Sequence, residues 1–205
     1  MPKRKQAVFD ERRQQIIDGA LKVFSRKGFI QATNKEVAES AGINSPGLIY
    51  HYFASKEDLL RAVVEQYAPP LQLVARADAL MALPPEGALS QFGQAYLRLM
   101  DDPQMGAFVR VLFAEALRAP RFAELFGEVG PLRVLQFLTE YLRHKMDEGL
   151  LRRVDPSIAA RCFIGPLVTY LITRTVLGLT GSPDVDAETI VATAVQVFLR
   201  GLQAE

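Results

Sequence analysis

Apolar residues recur at helical spacing along the chain, and no stretch reads as a convincing strand. Ile16, Ile17, Ala20, Leu21 and Phe24 form the first stripe, predicting a helix from about Asp10 that Gly28 ends. Thr33 followed three residues later by Glu36 is a capping box, so a second helix starts at about Asn34. Val37, Ala38 and Ala41 face inward along it, Gly42 stops it and Ile43 plugs the turn. Asn44 or Ser45 then caps a third helix, Ser45 to about Tyr52, with Pro46 in a first turn where a missing amide proton costs little. The three helices share one small core of Ile16, Ile17, Leu21, Phe24, Ile30, Val37, Ala41, Ile43, Leu48 and Phe53. Ahead of them, Pro2 to Gln6 reads as a disordered basic arm, either a solvated terminus or an arm reaching phosphate or the minor groove.

Helical periodicity continues to the end of the chain. Ser55 with Asp58 caps a fourth helix whose Leu59, Leu60, Val63, Val64 and Tyr67 face inward. Pro69-Pro70 must break or kink it before helix resumes from Leu71 to Leu83. Further helices are expected over Gly87 to Met100, Gln104 to Leu117, a short piece around Phe122 to Phe126, and Leu132 to Glu148. Asp155-Pro156 opens a long helix to about Leu179, and Asp186 caps a last one carrying Ile190, Val191, Ala194, Val195, Phe198, Leu199 and Leu202 on one face. The fold class is therefore all-α, with nine or so helices. A three-helix helix-turn-helix head spans residues 1–55 and a helical bundle domain spans 56–205.

Composition refines this picture through its distribution. The 205 residues are 49% hydrophobic and 23% charged, as in ordinary soluble proteins, and the net charge is only +1. Residues 1–56, however, carry ten Lys or Arg against five Asp or Glu, while the remainder carries fourteen against eighteen. A single cysteine, Cys162, excludes an intramolecular disulfide and a multi-cysteine metal site, and its apolar surroundings suggest a buried, inert thiol. The basic N-terminus has no apolar run behind it and does not read as a secretory signal. The most apolar stretch, between Arg161 and Arg174, has twelve residues, too few to span a bilayer, so a cytoplasmic protein without a membrane partner is expected.

A helix-turn-helix places its second helix in the major groove while its first crosses the backbone. Here that second helix offers Ser45, Gly47, His51 and Tyr52 outward, with Leu48 and Phe53 toward the core. Tyr50 and Tyr52 join a flat apolar body to a hydroxyl that can reach phosphate, Lys56 adds charge, and Thr33 and Lys35 can clamp the neighbouring phosphates. The stretch GALKVFSRKGFIQATNKEVAESAGI, with IYHYF and SKEDLL after it, resembles the N-terminal domain of the tetracycline-repressor (TetR) family of bacterial regulators over about residues 10–65. The resemblance places the family's phosphate-contacting positions on Thr33, Tyr50, Tyr52 and Lys56. The interval GINSPGLIY is one residue longer than the commonest family form, leaving open which of Asn44, Ser45 and Gly47 faces the bases. The stretch from Val109 to Leu151 also resembles, less specifically, the C-terminal domains of a subgroup of such regulators.

The resemblance implies a homodimer paired through its last two helices, two reading heads on an inverted-repeat DNA operator, and a small-molecule effector among the middle helices. The broad apolar faces after Asp155 and Asp186 agree with such pairing. The candidate effector lining is Phe92, Tyr96, Met100, Phe108, Leu112, Phe137, Tyr141, Phe163 and Tyr170, pointing to an apolar or aromatic ligand; plain core is the alternative use of such a stripe. Glu115 and Arg118 either orient a polar ligand group or pair at the surface. The function expected is a ligand-released transcriptional repressor. The alternative is a DNA-bound regulator whose body recruits another protein and senses no metabolite. No catalytic residue, metal site or cofactor is expected: the two histidines, His51 and His144, are far apart, and no Ser-His-Asp order, HExxH motif or phosphate-cradling glycine loop is present.

Overall fold

Helix starts earlier than the periodicity indicates. The computed structural model describes residues 2–178 and 186–203, and among these none is in a strand. Helix α1 runs Pro2–Lys27, so the stretch expected as a disordered arm is helical; proline suits a first helical position, where its missing amide proton is no loss. The side-chain contacts expected of Lys3 and Arg4 lie outside the described residues. Next come α2 (Asn34–Ser40), a 3-10 helix (Pro46–His51), α3 (Lys56–Tyr67), α4 (Pro69–Val74) and α5 (Ala77–Met81). Then follow α6 (Pro85–Leu97), a 3-10 turn (Arg98–Met100), α7 (Pro103–Arg118), α8 (Pro120–Val129) and α9 (Pro131–Asp147). Helix α10 (Pro156–Leu171) continues as a π turn over Ile172–Val176, and α11 is Ala187–Gly201. The expected end of α10 near Leu179 lies outside the described residues.

Prolines mark most of these starts. The double proline initiates α4 after an extended Ala68, the backbone that a following proline enforces. The single helix expected from Leu71 to Leu83 is interrupted at Ala75 and Arg76, where no side chain caps α5.

The chain packs into two units, the N-terminal segment to Tyr67 with Pro103–Val129, and Ala68–Asp102 with everything from Gly130. This partition does not follow the division expected at residue 55, because α3, α7 and α8 pack with the head.

In the first unit Ile16, Ile17, Phe24, Val37, Phe53, Leu59 and Leu60 are buried together with Phe29 and Ile49. Three expected core residues are corrected: Ile30 is 50% exposed, Leu48 is only half-buried, and so is Ala41, which stands at the C-cap of α2. The reason at Leu48 is the 3-10 geometry, which at three residues per turn brings Ile49 rather than Leu48 onto the inner face. At Ile30, the loop after α1 turns Phe29 inward instead.

The second unit is built on α6, α9, α10 and α11. Asp155 caps α10 by accepting from the amides of Ser157 at 2.8 Å and Ile158 at 3.1 Å, and Asp186 caps α11 through the Thr189 amide at 2.6 Å. The other end of α11 is closed by Arg152, whose amide and guanidinium donate to the carbonyls of Leu202 and Gly201, each at 3.0 Å. Lys145 is buried, its ammonium 2.8 Å from Glu148 and 5.6 Å from the centre of the Tyr141 ring.

Two expectations about α10 are corrected. Cys162 is exposed although Phe163 and Ile164 beside it are buried, because successive residues on a helix point in different directions. With its π turn the helix spans 21 residues and is, by length and composition, long and apolar enough to cross a membrane. Its Ala159, Ala160, Phe163, Ile164, Leu167 and Leu171 are nevertheless buried, as in a core helix.

Candidate nucleic-acid interface

The edge of the interface is built by the capping box. The Thr33 hydroxyl accepts from the Glu36 amide at 3.3 Å, and the Glu36 carboxylate accepts from the Thr33 amide at 3.0 Å. Lys27, at the end of α1, pairs with the other carboxylate oxygen at 2.6 Å. That bond first, and the Thr33 bonds after it, bring the pKa of Glu36 down to about 2. The start of α2 is thereby fixed to the end of α1, with Thr33 and Lys35 exposed.

The turn that follows is set by Gly42, whose φ of +66° is a conformation other residues rarely adopt. Its amide donates to the Glu39 carbonyl at 3.2 Å and that of Ile43 to the Ala38 carbonyl at 2.9 Å, the bond pair of a Schellman closure, with Ile43 buried behind it. Ser45 occupies the N-cap position of the 3-10 helix in extended conformation, but no side-chain cap bond forms, contrary to expectation. Pro46 supplies the start instead, and Leu48 N–H donates to the Ser45 carbonyl at 3.0 Å.

This short helix presents Ser45, Gly47, Tyr50 and His51 outward. Tyr50 is 62% exposed and its hydroxyl accepts from Asn34 Nδ2 at 2.8 Å, locking the reading helix to the start of α2. Tyr52 is half-buried, its ring centre 4.6 Å from that of Phe9 on α1. The Arg13 guanidinium sits 5.1 Å above the Phe53 ring. Asn34 and Phe9 are thus interface-positioning residues that sequence reasoning missed. Their bonds join segments far apart in the chain, and no local spacing signals them.

Lys56 lies elsewhere. Its ammonium donates to the carbonyls of Phe29 at 2.9 Å, Ile30 at 3.3 Å and Ala32 at 3.1 Å, and stands 4.6 Å from the centre of the Phe29 ring. All three of its protons are engaged inside the head, and burial pushes its pKa down, partly opposed by the charges of Glu57 and Glu115. The arrangement presents Lys56 as a tie for the loop after α1 rather than as a charge held out toward a phosphate. At the other end of α3 the Tyr67 hydroxyl donates to Asp18 of α1.

The aromatic residues expected around an effector are divided between the units. Phe108 and Leu112 are buried in the first. In the second, Phe92 stacks on Phe137 at 5.3 Å and Phe137 on Tyr141 at 6.4 Å, while Phe163 meets Phe198 at 5.4 Å. The Tyr141 hydroxyl donates to the Leu83 carbonyl at 3.0 Å. Tyr96, Met100 and Tyr170 are half-buried, and burial raises the pKa of Tyr96 to about 12. A depression of about 330 Å³ lined by Gln94, Leu97, Arg98, Asp101, Ala187, Glu188 and Val191 touches none of these aromatic residues. Glu115 and Arg118 do not act as a pair: Arg118 is exposed and Glu115 binds backbone amides of the loop after α1. Among the described residues no cluster of potential metal ligands occurs.

Known proteins share this arrangement. Residues 16–63 match the family described as bacterial regulatory proteins, tetR family, and residues 87–203 match the C-terminal domain of AefR-like transcriptional repressors. The transcriptional regulator SrpR of Pseudomonas putida is 30% identical over 173 residues, 84% of this chain and 78% of its own length. UidR of Escherichia coli K12 is 28% identical over 197 residues, 94% of this chain and 89% of UidR. Among solved structures, the flavonoid-responsive regulator FrrA is similar with a TM-score of 0.62 at 28% identity, over 94% of this chain and 97% of FrrA.

Proposed function

The chain belongs to the TetR family of bacterial transcriptional regulators, and from that premise we propose that it is a repressor held on an inverted-repeat DNA operator and released by a small apolar or aromatic effector. The observation that carries this reading is the outward set Thr33, Lys35, Ser45, Gly47, Tyr50 and His51, presented by two short helices locked together through Asn34 and Tyr50. Thr33, Lys35, Tyr50 and Tyr52 would contact phosphate and set register, whereas Ser45, Gly47 and His51 would meet base edges. In this reading residues 1–55 act as the DNA-reading domain and 56–205 as the ligand-binding and dimerisation domain of a cytoplasmic regulator, with α3, α7 and α8 serving as the support on which the reading domain packs.

Pairing through α10 and α11 is supported by what those helices leave uncovered: Ile158 is 56% and Val197 66% exposed in the single chain. A two-fold pair presents its reading helices about 34–36 Å apart or a multiple of that, which requires an inverted repeat. The effector reading is confined to the second unit and rests on Phe92, Tyr96, Met100, Phe137, Tyr141, Phe163 and Tyr170. The half-buried Tyr96 phenol is available there to orient a ligand, and the similar regulator FrrA responds to aromatic compounds, flavonoids. The close stacking of Phe92, Phe137 and Tyr141 is the observation that favours the alternative, a regulator that recruits a protein and senses no metabolite.

Footprinting on the DNA upstream of the chain's own gene tests the DNA-binding reading. A protected inverted repeat is expected, with affinity falling as salt rises by a log-log slope of about −0.9 for each phosphate neutralised. Absence of protection there and on every genomic fragment at moderate salt sinks it. Release of the bound protein by a flavonoid panel, with no response to sugars or amino acids, supports the effector class; release by none leaves the recruiting alternative.

A further inference from the structure

The loop from Gly28 to Ala32, between α1 and the capped start of α2, is gripped from two sides. The Glu115 carboxylate of α7 accepts from the Phe29 amide at 2.9 Å and from the Ile30 amide at 3.0 Å. The ammonium of Lys56 takes the carbonyls of the same loop. The Phe29 ring lies under that ammonium and packs on Phe122 of α8 at 5.3 Å and on Phe24 at 5.5 Å. At Gly28, φ is +90°, and a Cβ there would fall on the Glu115 carboxylate. None of this is needed to end α1, since the Gly28 amide already donates to the Phe24 carbonyl at 3.0 Å.

Two charges of opposite sign therefore hold both ends of the Phe29–Ile30 peptide group and single ends of its neighbours, and bonds to ionised partners are roughly twice as strong as neutral ones. Thr33, the cap of α2, follows Ala32 directly. Whatever moves the loop moves Thr33 and Lys35, and through the Asn34–Tyr50 bond it moves the 3-10 helix as well.

We propose that Glu115 is a positioning residue for DNA binding: from α7 it fixes the loop Gly28–Ala32, and through that loop the seating of both reading helices on α1. The proposal rests on the DNA-binding reading above. Glu115 touches no DNA, so its loss lowers affinity for all sequences alike and leaves the salt slope unchanged.

The test uses the full chain and a duplex that the wild-type protein selects from a random-sequence pool. Glu115→Gln keeps size and one acceptor but loses the charge, and affinity is expected to fall about tenfold, with unchanged helical circular dichroism. Hydrogen exchange at the Phe29 and Ile30 amides should accelerate in the same variant. Ile17→Val, which trims the core of the same unit away from the loop, should stay within about twofold of wild type in affinity. Gly28→Ala, whose Cβ would displace the Glu115 carboxylate, should weaken binding, and adding Glu115→Ala should lower it little further, because both changes remove the same grip.

Three outcomes overturn the proposal. The first is wild-type affinity in Glu115→Gln and Glu115→Ala although the two amides have lost protection. The second is an equal loss in Ile17→Val. The third is a wild-type chain that selects no duplex, which removes the DNA-binding reading itself; amide exchange then still shows whether the grip on the loop exists.

Discussion

The unit that carries the reading helices and the unit that carries the C-terminal helices are held together by different means. In the first, charged and polar side chains bind backbone: Lys56 on three carbonyls, Glu115 on two amides, and Glu36 closing the cap of α2 under Lys27. Rings pack on rings in both units, Phe29 on Phe24 and Phe122 in the first and along α6 and α9 and between α10 and α11 in the second, but in the second the polar ties are at helix ends. The difference follows from helix length. A helix of seven residues and a 3-10 helix of six cannot hold themselves in water, and they bury too little to be held by packing alone. Helices of 15 to 17 residues, as α9, α10 and α11 are, bury a broad face and need caps only at their ends. Polar ties suit a surface whose task is to hold a few side chains at fixed separations.

Substitutions should separate the two modes. The largest effect is expected in the stacked unit, where Phe163→Ala, at a side chain 1% exposed, should cost about 3–5 kcal/mol in urea unfolding. A cost under about 1 kcal/mol would mean that the rings there are loosely seated. Lys56→Ala should cost about 1–2 kcal/mol, the worth of bonds to a charged group discounted for a half-exposed site. Lys56→Met, which keeps the stem over Phe29, should recover only the packing share; full recovery would show that the carbonyl bonds contribute nothing. Thr33→Ala should cost about 1 kcal/mol, read as a lower melting temperature.

Acid should act on the reading unit through Glu36. Its pKa is depressed in the folded chain from an ordinary 4.5 to about 2, so its contribution is complete above pH 4.5 and is lost as pH falls toward 2. Glu36→Gln should flatten that part of the stability profile, and an unchanged profile would contradict the ion pair with Lys27. The smallest effect compares two phenols. Tyr67 and Tyr96 are both raised from 10 to about 12, Tyr67 by burial and then by Asp18, Tyr96 by burial alone. Both contributions are complete below pH 10 and are lost as pH rises toward 12. Asp18→Asn should move one of these transitions down in ultraviolet titration and leave the other in place.

Features that depend on chemistry within about four residues were legible in the sequence. Thr33 with Glu36, Gly42 with Ile43, Asp155 with Pro156, and Asp186 with Thr189 all formed as their spacing indicates. What was not legible depends on distant partners. Asn34 meets Tyr50 sixteen residues away, and Glu115 meets the loop amides 85 and 86 residues away, so nothing beside either residue marks it. A second kind of miss came from assuming α geometry. At Pro46–His51 a tighter helix exchanged Leu48 for Ile49 in the core. Cys162 was misplaced for a third reason: its apolar neighbours along the chain are buried against α9 and α11, but on a helix the next residue points elsewhere.

That exposed thiol gives the chain a ready-made reporter. It is the one cysteine among 205 residues, so a maleimide dye or spin label attaches at a single known point without engineering. It also stands on the outer face of α10, the helix expected to meet its counterpart in a second copy. The rate at which Cys162 reacts, followed across protein concentration, therefore reads out assembly directly, slowing where copies pair and staying constant where they do not.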